Sequence, residues 1–168
     1  MDFIFGAFIF TVTFILFYKF VPNIEHQELD NFLEVHTDAK TITNALTTKG
    51  YPYNWTNTTV QRIGITNGQK IIVQQKLETF HNMTKTQEGY DNTRQLFNLK
   101  SDYLIVFTDR YQNPVNLSTI RSIGSPEVNF YPNNKTDFTS VPHSNIVALK
   151  RLLVYNQIET MMVIYTWY

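Results

Sequence analysis

The stretch MDFIFGAFIFTVTFILFYKFVPN, residues 1–23, decides how the rest of the chain is read. From Phe3 to Tyr18 it carries no charged side chain, and phenylalanine dominates it. At about 1.5 Å per residue, a helix over this run, extended past Lys19 by Phe20 and Val21, crosses most of a hydrocarbon core about 30 Å thick. A secretory signal peptide would carry a basic region before the apolar run and a small-residue cleavage site after it. No Lys or Arg precedes Lys19, and FVPNIEHQELD follows, so the segment is expected to stay in the working protein. Pro22 removes one helix hydrogen bond and crowds the turn before it, which predicts a break or kink there.

Residues 24–50, IEHQELDNFLEVHTDAKTITNALTTKG, continue as an amphipathic helix. Leu29, Phe32, Leu33, Ala39, Ile42 and Leu46 recur at three- and four-residue steps on one face. Lys49 in the last turn, Gly50 after it and then Pro52 make a C-terminal stop. The first fifty residues thus read as one interrupted helix, apolar all round and then one-sided. The one-sided half needs a sheet to cover. The apolar half has no partner of its own and must meet lipid or other subunits.

Beyond Tyr51 the periodicity changes. RIGIT and QKIIVQQ flank Asn67-Gly68, a strong short-range hairpin signal. KLETFHNM and YDNTRQLFNL read as short helices with Leu77, Phe80, Tyr90, Leu96 and Phe97 facing inward, and DYLIVFTDR reads as a strand. A loop-rich stretch, residues 111–146, holds a short strand at EVNFY. The chain closes with IVALKRLLVYNQIETMMVIYTWY, two antiparallel strands turning at Asn156-Gln157. The fold class is therefore α+β: a long N-terminal α-helix, apolar then amphipathic and broken near Pro22, packed on an antiparallel β-sheet head. Two domains follow. Residues 1–23 are an apolar assembly or membrane helix, and residues 24–168 are a globular head that includes the amphipathic half of the helix, 24–49.

Composition excludes several functions. Lys plus Arg and Asp plus Glu are 14 each among 168 residues, so the formal charge is zero and no electrostatic footprint for nucleic acid exists. There are no cysteines, so the head is held by its core alone. The histidines His26, His36, His81 and His143 are scattered, and the first two stand ten residues apart rather than at ligand spacing. No nucleotide loop, nucleophile elbow or calcium loop is present, so no enzyme activity, cofactor or metal is expected. YPNNKTD could hold a cation or a glycosylated turn. Ten Tyr and thirteen Phe exceed what a core of this size needs, which suits subunit contacts or, alternatively, carbohydrate or partner binding.

Five N-x-[ST] acceptors, at Asn54, Asn57, Asn82, Asn116 and Asn134, argue for an outward-facing head carrying N-linked glycans. Lys19 alone would place that head in the cytoplasm. Both observations fit if a short basic leader once preceded Met1 and was removed.

A helix that is apolar and then amphipathic, with a proline near its middle and a β-rich head behind it, resembles a type IV pilin. The head pattern GYPYNW, VQRIGIT, KLETF, YDNTRQLF, DYLIVF and the terminal KRLLVY and YTW is similar to that of archaeal surface proteins with pilin-like leaders. The resemblance covers nearly the whole chain. It implies a cell-surface filament subunit, a homo-oligomer inserted in the membrane before assembly. Phe3, Phe5, Phe8, Phe10, Phe14 and Phe17 would fill the bundle, and Gly6 and Ala7 would permit close approach. One departure stands out: pilins commonly carry Glu at the fifth mature position, where this chain has Phe5, and Asp2 is the only acid in the run. Asp2 either pairs with an α-amino group or sits at headgroup level. A monomeric, membrane-anchored surface-binding protein is the competing expectation.

Overall fold

A computed structural model describes the backbone of residues 2–130, 136–137 and 145–168, and the side chains of 3–19, 29–128 and 145–168. The elements are α1 (Asp2–Leu46), α2 (Gln74–Met83), α3 (Gln87–Phe97), β1 (Asp102–Thr108), β2 (Ser122–Gly124), β3 (Asn129–Phe130), β4 (Thr136–Asp137), β5 (Ile146–Tyr155) and β6 (Ile158–Trp167). The chain divides into two compact units, Met1–Leu33 and Glu34–Tyr168.

The second unit is α+β and is built on a four-stranded antiparallel sheet in the order β2-β1-β6-β5, with β3 and β4 forming a separate two-stranded ribbon. The β5–β6 hairpin turns on Asn156 and Gln157, both with positive φ, as a two-residue connection between right-twisted strands requires. Alternation along the strands gives each face its own cluster. Tyr103, Ile105 and Phe107 of β1 and Met162 and Ile164 of β6 join Ile42, Leu46, Leu77, Phe80, Tyr90 and Phe97 in the main core. The opposite face gathers Leu104, Val106, Val163 and Trp167 with Val128.

Helix α1 joins the core through Val35, Ala39, Ile42 and Leu46, all fully buried and spaced at three and four residues. Burying Val35, Ile42 or Leu46 contributes about 1.5–3 kcal/mol each, and Ala39 less. Asp38 lies on the same stripe. One of its carboxylate oxygens accepts from the Lys100 and Ser101 backbone N–H groups (3.0 and 2.9 Å) and from the Ser101 hydroxyl (2.6 Å), fixing the helix to the turn that feeds β1.

The stripe starts later than the sequence predicts. Leu29, Phe32 and Leu33 are exposed, and the buried stripe begins at Val35, at the end of the sheet. Its last ladder pair is Ile146–Trp167; the Thr166 hydroxyl donates to the Val35 carbonyl and the Tyr168 hydroxyl donates to Glu34. Three further expectations are corrected. Helix α1 is unbroken at Pro22, so the expected interruption is absent there. It ends at Leu46, before Lys49, where the Thr47 and Thr48 hydroxyls donate to the Asn44 and Ala45 carbonyls and satisfy the last turn. The Asn67-Gly68 turn is present, with the Asn67 side chain accepting from the Gln69 and Ile71 N–H groups, but it joins no pair of strands. Thr66 and Ile72 form an isolated bridge across it, flanked by hydrogen bonds from the Asn67 N–H to the Ile71 carbonyl and from the Val73 N–H to the Ile65 carbonyl. The run before it docks instead on the exit of α1: a Cβ on Gly64 would lie 2.3 Å from the Gly50 nitrogen.

Candidate functional site

The first unit offers one chemical feature, an apolar helical surface. Phe14, Ile15, Leu16, Phe17 and Tyr18 are consecutive and each at least half exposed. Five consecutive residues exceed one turn of about 3.6, so apolar surface goes all the way round. Phe3, Ile4, Phe5, Phe8, Ile9 and Phe10 repeat the pattern one end earlier, with Phe3 at 89% exposure. The two threonine hydroxyls in the run are satisfied within the helix: Thr11 donates to the Ala7 carbonyl and Thr13 to that of Ile9, both at 2.8 Å. They ask nothing of water. Phe10 stacks on Phe14 at 6.2 Å, and Phe14 lies 6.1 Å from Tyr18, an aromatic ladder along one side. At Gly6 nothing lies within 4 Å of where a Cβ would sit, and Ala7 beside it is exposed, so the two leave a shallow place on the surface.

An all-round apolar surface of this extent marks contact with protein or lipid rather than water. Among the described residues no helix is long and apolar enough to cross a membrane. Phe3–Lys19 spans about 25 Å, slightly less than a hydrocarbon core. The backbone of Asp2 and Pro22 is helical, and their side chains lie outside the described ones.

The second unit carries the sequons. Asn54 and Asn57 are exposed on a turn anchored by Trp55, which is 4% exposed and donates from its indole to the Gly64 carbonyl at 3.1 Å. Their partner residues Thr56 and Thr59 are exposed, and their hydroxyls meet at 3.0 Å. Asn116 and Ser118 are exposed around buried Leu117, whose backbone exchanges hydrogen bonds with Ile120. Asn82 differs. It is exposed on the last turn of α2, but Thr84 is buried and its hydroxyl donates to the His81 carbonyl at 3.1 Å, so the hydroxyl that an acceptor site needs is hidden. Asn134 lies outside the described residues.

Of the histidines, His81 is half-buried, and burial, with Lys85 nearby, lowers its pKa. His36 lies on α1; the side chains of His26 and His143 are outside the described residues. Among the described residues no three His, Asp or Glu side chains gather as a metal site.

One arrangement escapes the sequence entirely. A cavity of about 240 Å³ opens between the Tyr53–Thr56 turn and the first turn of α2, with Lys76 in its wall. Tyr53 and Lys76 are separated by the whole 62–73 segment, and nothing in either local pattern marks them as neighbours. Comparison of the chain with protein-family models, curated proteins and solved structures finds no match.

Proposed function

We propose that this chain is a structural subunit of an extracellular filament of the type IV pilus kind. It assembles through the apolar part of α1 and presents a glycosylated head for adhesion or surface contact. The observation that carries the reading is the unbroken apolar circumference between Phe3 and Tyr18. Each Phe moved out of water contributes about 1.5–3 kcal/mol, so a run of them drives association once copies align. Lipid holds the same surface before assembly, because the helix satisfies its own backbone. The exposed turns at Asn54, Asn57 and Asn116 support an outward-facing, sugar-bearing head.

The all-round exposure also suits a monomer anchored in lipid by this helix and displaying a surface-binding head. One substitution separates the two. In Phe8→Asp, an unpaired carboxylate enters the apolar bundle at a cost of several kcal/mol, and filaments should vanish from the cell surface while the head stays folded. Filaments of normal number and length, seen by electron microscopy, would overturn the filament reading.

A further inference from the structure

Lys76 is 7% exposed, and no carboxylate among the described residues pairs with it. Its ammonium donates to the Lys49 carbonyl at 2.6 Å and lies 4.4 Å from the centre of the Tyr53 ring. The Lys49 ammonium lies 5.8 Å from that same ring. Glu78, the nearest acid on α2, accepts from Gln74 instead. Two cations thus share one aromatic ring beside a cavity, and burial with the neighbouring Lys49 pushes the Lys76 pKa down. A buried charge left this way is costly unless a ligand completes it. An ammonium has three donors and the Lys49 carbonyl takes one, leaving hydrogen-bonding capacity for the cavity. The first turn of α2 adds to the positive field, since Val73 supplies no side-chain cap and no acid sits in that turn.

The walls say what the rest of the ligand is. Tyr53, 61% exposed, lines the cavity together with Thr56 and Gln75. An aromatic face beside hydroxyl and amide groups suits a sugar ring, with its C–H face and ring of hydroxyls. At about 240 Å³ the space is below the usual range for drug-sized ligands and fits a single ring. A bare inorganic anion would leave the aromatic wall unused.

We propose that this cavity binds a carboxylated saccharide unit, with Lys76 pairing the carboxylate and Tyr53 stacking on the ring. The unit comes either from saccharide in solution or from a glycan on Asn54 of the same chain, because Asn54 stands on the cavity's rim. The saccharide in solution is independent of the filament reading, whereas the Asn54 glycan rests on the glycosylated head proposed with it.

The test uses the full-length, unglycosylated chain in detergent micelles, with glucuronate and glucose as probes, read by calorimetry. Glucuronate should bind about tenfold or more tighter than glucose, the worth of one charge-assisted pair. Lys76→Met should erase that difference, Tyr53→Leu should weaken both sugars, and Lys85→Met should change neither. Tyr53→Leu alters an exposed side chain, so it remains informative should Lys76→Met fail to fold. Equal affinity for the two sugars, no binding of either, or inorganic phosphate competing as well as glucuronate would overturn the proposal. Repeating the titration on glycosylated wild type and glycosylated Asn54→Gln distinguishes the sources. A cavity closed in the first and open in the second assigns the chain's own glycan; a cavity open in both assigns saccharide in solution.

Discussion

Two stretches of one helix, Phe3–Tyr18 and Val35–Leu46, use apolar side chains in opposite ways. In the second, a stripe of Val35, Ala39, Ile42 and Leu46 is fully buried, while Lys40, Thr41 and Asn44 stay exposed. In the first, every face is apolar and every large side chain described is exposed. The more hydrophobic stretch is the less buried one. Burial follows from a complementary surface within reach, and β1, β5 and β6 supply that surface to the Val35–Leu46 stretch. The first stretch leaves its large apolar side chains exposed, and the proposed assembly role rests on that exposure.

The sharpest way to break this contrast is truncation to alanine in each stretch. Ile42→Ala or Leu46→Ala should cost the head about 2–5 kcal/mol, through lost transfer energy and the cavity left behind. Phe10→Ala should leave head stability within about 0.5 kcal/mol of wild type, as substitutions outside a core do. Denaturant unfolding of the full chain in mild detergent measures both. Comparable losses from the two sites would mean that the apolar run belongs to the head's core.

Legibility of the sequence follows the same divide between pattern and partner. The β5–β6 hairpin was readable because two ten-residue extended runs flank Asn156-Gln157 and both strands carry apolar residues. Helices α2 and α3 were readable from Leu77, Phe80, Tyr90 and Phe97, but each starts earlier than expected. Gln74, Gln75 and Gln87–Gly89 carry no periodic signal, and the Thr86 side chain that accepts from the Gly89 N–H caps α3. The three residues of β2 give too short a run to detect. The Asn67-Gly68 signal was over-read, because turn chemistry is local while Ile63 and Ile65 belong to the core beneath α1. The acceptor turns were legible as motifs. Asn82 already stood apart from the others, at the end of a short predicted helix; the burial of Thr84 was not legible, since it depends on how α2 packs. The Lys76 cavity left no trace in the sequence because its walls come from segments that meet only in the fold.

A smaller effect probes the border between the two stretches. Tyr168 donates to Glu34 at 2.6 Å, and Lys100 forms an ion pair with the same carboxylate. The Lys100 and Tyr168 hydrogen bonds hold Glu34 below its ordinary pKa. A depressed carboxylate contributes stability above its unfolded value and loses it as pH falls through the folded one, so the contact should loosen only in acid. Burial first, and then Glu34, raise Tyr168 to about 12. A raised phenol contributes stability below its unfolded value and loses it as pH climbs toward the folded one. Ultraviolet titration should show one tyrosine ionising near 12, and Glu34→Gln should move it down toward the ordinary value. A Tyr168 titration unchanged by that substitution would mean that burial alone sets it.

In the proposed filament, the Phe3–Tyr18 surface is covered by the same surface of other copies. The chain has no cysteine, so a single introduced thiol reports contacts between copies and nothing else. Ala7→Cys, placed in the shallow patch beside Gly6, should form disulfide-linked dimers on mild oxidation of intact cell-surface material. Tyr111→Cys, on an exposed loop of the head, serves as the reference. Ala7→Cys should give dimers in high yield, in fractions that sediment as filaments, and Tyr111→Cys few. Ala7→Cys remaining monomeric under conditions that oxidise it fully with a small thiol reagent would contradict the filament reading.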